Sequence, residues 1–126
     1  MWHGILADLD PIKAGNILVA KNTATQTVVG FLSFGSADKG SSAQAEPRAI
    51  YIDPQCWSQG IGQRLWEVAQ RNMVHAKCST AVVEVFAGND RAIRFYQRAG
   101  FKENQAGQTV VGSVTLPTLQ LIKTLE

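Results

Sequence analysis

The residues best suited to chemistry in this chain lie in the stretch Cys56-Trp57-Ser58-Gln59-Gly60-Ile61-Gly62-Gln63-Arg64-Leu65. It follows the apolar, β-prone run Ala49-Ile50-Tyr51-Ile52 and leads into a helical pattern with Ile61, Leu65, Val68 and Ala69 on one stripe. A strand, a glycine turn and a helix start present consecutive backbone N–H groups at the positive end of a helix dipole. That combination binds anions, most often phosphate. Gly60 and Gly62 carry no side chains that would keep a ligand off the backbone. Two known phosphate motifs are excluded. Gly62 is followed by Gln63-Arg64 rather than the Lys-Ser/Thr of a P-loop, and Leu65 stands where a dinucleotide fingerprint needs its third glycine. Two glycines also suit a tight strand-to-helix turn with no ligand, and this stretch alone leaves both readings open.

A second stretch, Val83-Glu84-Val85-Phe86-Ala87-Gly88-Asn89-Asp90-Arg91-Ala92-Ile93-Arg94-Phe95-Tyr96-Gln97-Arg98-Ala99-Gly100-Phe101, reads as a strand, an Asn-headed helix and a glycine stop. In this order and spacing the two stretches resemble the GNAT superfamily of acyl-CoA-dependent N-acetyltransferases. Ile52-Asp53-Pro54 leading into Trp57-Ser58-Gln59-Gly60-Ile61-Gly62 looks like that family's pyrophosphate-binding motif. Asn89-Asp90-Arg91-Ala92-Ile93 with Phe95-Tyr96 and Ala99-Gly100-Phe101 looks like its second cofactor motif, and is the more specific of the two. The resemblance runs from Val28 to Leu125.

Acyl transfer from a thioester to an amine needs a neutral amine, a donor for the developing oxyanion and a proton for the leaving thiolate. The resemblance implies acetyl-CoA as co-substrate, no metal, and direct attack by a primary amine of a small molecule or peptide. It assigns cofactor contacts to the backbone of Trp57, Ser58, Gln59, Gly60, Ile61, Gly62 and Gln63, with Arg64 close to the phosphates. Ile50 and Ile52 would hydrogen-bond the pantetheine arm as an added strand does, in a gap where this strand splays from the next. Trp57 stands where Gln or Arg is commonest, and Ser58 replaces a common Gly. Asn89 would both cap its helix and touch the cofactor. Tyr96 matches the tyrosine that protonates the CoA thiolate in many relatives; by spacing alone it is a core aromatic. Glu46 matches a strand glutamate that deprotonates amines through water in some members, with Pro47 an unusual neighbour. Glu84 is the other strand carboxylate, read as solvated or salt-bridged. One of Arg91, Arg94 and Arg98 would reach the 3′-phosphate of CoA, and spacing does not pick which.

The elements that must position these groups follow from pattern. Trp2 to Leu9 has a short helical spacing, resembling the end of a family N-terminal helix. Strands are expected over Asn16–Ala20, Thr27–Phe34, Glu46–Ile52, Thr80–Phe86, Phe101–Asn104 and Leu119–Leu125, with Thr109–Val114 extended. Gly35–Ala45 is expected as a loop, Gln105–Gln108 as a turn or bulge, and Pro117 as a break. Pro47 suggests an edge, a bulge or an irregular strand entry. Helices are expected over Gly60–Ala76 and from Asn89 to Gly100. The fold class is α/β (α+β mixed): a GNAT-like, mostly antiparallel mixed sheet with helices on both faces, as one domain over residues 1–126, with a shortened N-terminal region. Because that region helps wall the acceptor pocket in the family, an inactive acyl-CoA-binding module is the alternative. A homodimer whose last strands pair or exchange would restore the wall.

Composition is consistent with these expectations. The chain has 126 residues, with 12 Lys plus Arg against 10 Asp plus Glu, a formal net charge of +2. That balance gives no ground for nucleic acid or an anionic membrane as partner. No apolar run approaches the roughly 20 residues of a membrane span, and Met1-Trp2-His3-Gly4 lacks a signal-peptide layout. Cys56 and Cys78, with only His3 and His75 to join them, do not make a zinc site. They read as reduced thiols of a cytoplasmic protein.

Overall fold

The computed structural model describes residues 4–7, 16–22, 24–38, 41–57 and 59–125. The described residues form seven strands and two α-helices. They are β1 (Gly4–Ala7), β2 (Asn16–Asn22), β3 (Thr27–Asp38), β4 (Ser41–Ile52), α1 (Ile61–His75), β5 (Thr80–Phe86), α2 (Asp90–Arg98), β6 (Lys102–Val111) and β7 (Val114–Thr124). The strands form one sheet in the order β1-β2-β3-β4-β5-β7-β6. Every neighbouring pair is antiparallel except β4 and β5. Those two run parallel and pair only at Gln44 with Thr80 and Ala45 with Ala81. Beyond Ala45 and Ala81 the sheet is open between them.

The opening has a local cause. Ser33 pairs with Ala49 and Phe34 with Pro47, so Arg48 is the extra residue of a bulge in β4. A bulge bends and twists its strand, and Pro47 has no N–H to offer a neighbour. The expected irregularity at Pro47 is therefore present, two residues after the last β4–β5 pair.

Both helices lie on one side of the sheet, where helices on both faces were expected. Along the strands, Leu18, Leu32, Phe34, Ala45, Ala81 and Leu121 share one face and are all fully buried. α1 covers them with Ile61, Leu65, Trp66, Ala69 and Met73. α2 packs beside α1. A Cβ on Gly62 would lie 2.9 Å from the Phe95 ring, and Trp66 and Phe101 make an edge contact with ring centroids 5.1 Å apart. The opposite face shows Ile17 and Tyr51, each about half exposed, beside a Phe31–Tyr51 cross-strand pair. No helix covers that face among the described residues.

Four further expectations change. Gly4–Ala7 is a strand, paired with β2 from Gly4–Lys21 to Ala7–Leu18, and not part of a helix. Four residues of apolar spacing fit either form, and the free edge of β2 decides. Residues 2–3 and 8–9 of that expected helical stretch lie outside the described residues. The Gly35–Ala45 loop is largely strand, because β3 and β4 stay paired out to Asp38 and Ser41. Gly35 serves close packing there, since a Cβ would sit 2.8 Å from the Arg48 guanidinium carbon. Of the turn or bulge expected at Gln105–Gln108, the turn is absent and the irregularity lies just before it, a register shift between Glu103 and Gln105 in an otherwise continuous strand, while the hairpin turn falls between Val111 and Val114. Pro117 lies inside β7. Its carbonyl accepts from Ala87 N–H on the β5 side, beyond the last β5 pair at Phe86 and Thr118. The N–H it lacks would have pointed where β5 has already ended.

Among the described residues no helix is long and apolar enough to cross a membrane.

Candidate functional site

The turn after β4 is tied down at its start. Asp53 N–H donates to Val29 O on β3 at 2.8 Å, and the Asp53 side chain accepts from Gln55 N–H at 3.0 Å, setting up the single 3-10 turn Pro54–Cys56. The Trp57 indole N–H then donates to Ile52 O at 2.9 Å. Ser58 lies outside the described residues. Gln59 is exposed, and Gly60 is left-handed at φ 78, ψ 8, a conformation that favours glycine.

Gly60 is the N-cap of α1 and makes no side-chain cap. The first intrahelical bond is Arg64 N–H to Gly60 O, 3.0 Å. Among the described residues no oxygen caps the N–H groups of Ile61, Gly62 and Gln63. A Cβ on Gly60 would meet nothing within 4 Å, so the space above this turn is open. α2 is built the other way. Its cap, Asn89, accepts from Ala92 N–H at 3.2 Å, and Asp90 occupies its first turn. One helix start is closed by its own side chain and the other is left open to an anion.

The two glycines of the turn do different jobs. Gly60 is required by φ and leaves open space, whereas the space beside Gly62 is filled by Phe95. Gly62 therefore offers a ligand its N–H, not a bare surface. The Gln63 side chain reaches Phe95 O at 3.4 Å, and Ile61 is core, so these residues also meet a ligand only through their backbone. Arg64 is exposed and lies 3.7 Å from Glu67.

The unpaired edge of β4 has a defined direction. Asp53 N–H points to β3, so the two-residue alternation of a strand turns the N–H and C=O of Ile52 and Ile50 the other way, into the gap beside β5. Beyond Ala45 no strand satisfies that edge. One of its acceptors, Ile52 O, is taken by the Trp57 indole.

Two carboxylates flank the gap on the helix-free face. Glu46 lies between buried Ala45 and Pro47 on β4, and so points to that face, with Oε1 3.5 Å from Arg48 Nε. Glu84, next to buried Val83 on β5, points the same way and accepts from Thr118 Oγ1 at 2.8 Å. The support from buried Thr118, in place of an expected salt bridge or plain solvation, was not visible in the sequence. Tyr96 is on the helix side, 3% exposed, with ring centroids 5.1 Å from Phe95 and 5.2 Å from Phe101. Burial pushes its phenol up to about 12, so the hydroxyl, protonated at neutral pH in any tyrosine, stays so well into the alkaline range.

Two features were missed. Arg91 stacks on Trp57, with its guanidinium carbon 3.3 Å from the ring centroid, joining the turn to α2. Neither cysteine is in a disulfide, but the two differ: Cys56 is half-buried on the 3-10 turn, while Cys78 is buried and its thiol is pushed up by that burial. Among the described residues no group of three or more His, Cys, Asp or Glu could hold a metal. A surface depression of about 360 Å³, lined by Glu67, Gln70, Arg71 and Val74, lies along the outer side of α1 and contains none of these groups.

Comparison with known proteins identifies the family and matches the fold. A sequence model of the "Acetyltransferase (GNAT) family" matches residues 4–101. Mycothiol acetyltransferase of Propionibacterium freudenreichii subsp. shermanii is 29% identical over 85 residues. That match covers 68% of this chain and 27% of the relative, so the chain spans about a quarter of the relative's length. The solved structure of yncA from Salmonella typhimurium with its cofactor acetyl-CoA superposes with a TM-score of 0.75 at 20% identity, covering 89% of this chain and 65% of that one. Ribosomal-protein-alanine N-acetyltransferase from Brucella melitensis gives 0.74 at 24% identity, covering 88% and 69%.

Proposed function

We propose, since this chain belongs to the acetyltransferase (GNAT) family, that it transfers an acetyl group from acetyl-CoA to a primary amine of a small molecule or peptide, by direct attack. The observation that carries this reading is the opening between β4 and β5 beyond Ala45 and Ala81, with the uncapped start of α1 at the far end of the same strand. An extended amide-bearing arm needs unpaired strand edge, a pyrophosphate needs free N–H groups, and here the two follow one another along the chain.

Bound acetyl-CoA supplies the activated acyl thioester. The chain does the rest by holding and by moving protons. Ile50 N–H, Ile50 C=O and Ile52 N–H hold the pantetheine amides. The N–H groups of Ile61, Gly62 and Gln63 hold the phosphates, with Gln59 and Gly60 forming the approach and Arg64 adding charge. Asn89 fixes the start of α2 beside them. Glu46 takes the amine proton through a water, and Glu84, steadied by Thr118, draws the cationic acceptor to the helix-free face. Tyr96 gives its proton to the departing sulfur. Juxtaposing amine and thioester in the gap supplies much of the rate.

The same reading includes a single domain over residues 1–126, a cytoplasmic location, no metal, and no nucleic-acid or membrane partner. It also includes a homodimer. The β6–β7 hairpin runs four residue pairs past the end of β5 at Phe86, and Val110, Val111 and Val114 on it are more than half exposed. Sedimentation equilibrium should give a dimer that Val111→Asp dissociates; a wild-type monomer removes this part.

The test is release of free CoA over a panel of amines. Turnover on at least one amine is expected. Glu46→Gln should lower kcat and displace the pH profile upward, whereas Glu84→Gln should mainly raise KM for the amine. Bound acetyl-CoA with no turnover on any amine would leave a binding module and refute the enzyme reading.

A further inference from the structure

The stack of Arg91 on Trp57 lies at the surface, outside the buried core. Trp57 is 42% exposed and Arg91 lies on the surface. The indole is nevertheless fixed, because its N–H donates to Ile52 O. The guanidinium lies over the ring at 3.3 Å, which covers one of its flat faces and leaves its in-plane N–H donors pointing outward. Among the described residues no carboxylate pairs with Arg91. By contrast, Arg48 lies beside Glu46 and Arg64 beside Glu67. Arg94 and Arg98, further along α2, have no aromatic platform among the described residues. Arg91 is therefore an oriented cation with its donors free, seated between the uncapped glycine turn and the start of α2.

We infer that Arg91 is the ligand of the terminal 3′-phosphate of CoA, and that Trp57 is the positioning residue that holds it. This rests on the proposed use of acetyl-CoA. The backbone N–H groups at the start of α1 suit the pyrophosphate, and the cofactor's nucleotide end carries one further phosphate, a monoester. A planar guanidinium binds such a group through two parallel N–H donors, provided its plane is fixed beforehand. The stack supplies that constraint. It also accounts for tryptophan at position 57, since an aliphatic or small residue there would leave Arg91 free to swing.

The test is calorimetric titration of the intact chain with CoA and with 3′-dephospho-CoA. Wild type should prefer CoA by at least about tenfold, the usual worth of a charge-assisted hydrogen bond. Arg91→Ala should bind both ligands alike, with its affinity for 3′-dephospho-CoA unchanged from wild type. Arg94→Ala should keep the full preference. Trp57→Ala should abolish most of the preference while Trp57→Phe, which keeps a ring but loses the bond to Ile52 O, keeps only part of it, with affinity for 3′-dephospho-CoA unchanged in both, which a merely structural role for the ring at the turn would not produce. An Arg91→Ala variant that keeps the wild-type preference, or that weakens both ligands equally, overturns the assignment while leaving the acetyl-CoA reading intact. Folded wild type that binds neither ligand overturns both.

Discussion

Aspartate at position 60 sets charge against the proposed phosphate site without crowding the fold. A Cβ there meets nothing within 4 Å, so sterics are not the issue. The backbone is left-handed at φ 78, which costs a non-glycine residue about 1–2 kcal/mol and less for Asp or Asn. Gly60→Asn carries the same strain without the charge, so the pair isolates electrostatics. A carboxylate about 4 Å from each of two phosphate charges in a water-like medium opposes binding by about 1 kcal/mol per charge. The sum, about 2 kcal/mol, is roughly a 30-fold difference in Kd between the two variants. Isothermal calorimetry with acetyl-CoA reads it directly. In about 1 M salt, where the screening length is about 3 Å, the difference should largely vanish. Asp and Asn variants that bind equally well in low salt would refute an anion site at this turn. A difference that survives high salt would show that the loss is steric or conformational.

Two other outcomes follow from packing and burial. Gly62→Ala drives a methyl to 2.9 Å from the Phe95 ring, held between α1 and Tyr96. The overpacking costs about 1–3 kcal/mol and is partly offset by the helix preference for Ala, so thermal denaturation should shift down by roughly 4 °C; an unchanged or higher Tm contradicts the close contact. Tyr96, pushed up to about 12 from 10.0 by burial, stays neutral in the fold where the unfolded chain ionises. Its contribution is complete below pH 10 and is lost as pH rises from 10 to 12, by at most about 2–3 kcal/mol. Urea unfolding across that range should show the loss in wild type and not in Tyr96→Phe.

The site was legible where local backbone chemistry determines it. A glycine before an amphipathic stripe gives a helix start without a cap, and Asn89 gives one with a cap, and both stand in the structure. Pro47 announced the irregularity that parts β4 from β5. What stayed hidden depends on partners far along the chain. Gly35, Ser36 and Ser41 read as loop, yet pairing across the hairpin holds them extended, since strand preference is largely a matter of neighbours. Pro117 read as a break because nothing local shows that β5 ends at Phe86. The packing of the two helices side by side, with Phe95 against Gly62, and the Arg91–Trp57 stack join the two motifs through side chains that no spacing relates.

The claim on which the functional account rests is that the gap beside β4 takes the cofactor arm, and hydrogen exchange by NMR tests it residue by residue. Ile50 and Ile52 amides face the gap, whereas Asp53 N–H is bonded to Val29 O and Tyr51 faces the same way. In the free protein, Ile50 and Ile52 should exchange fast and Tyr51 and Asp53 slowly. Saturating acetyl-CoA should slow Ile50 and Ile52 by at least about tenfold, as expected for amides that gain a hydrogen bond, and leave the other two unchanged. Ile50 and Ile52 amides that exchange at the same rate with and without saturating acetyl-CoA would contradict the account.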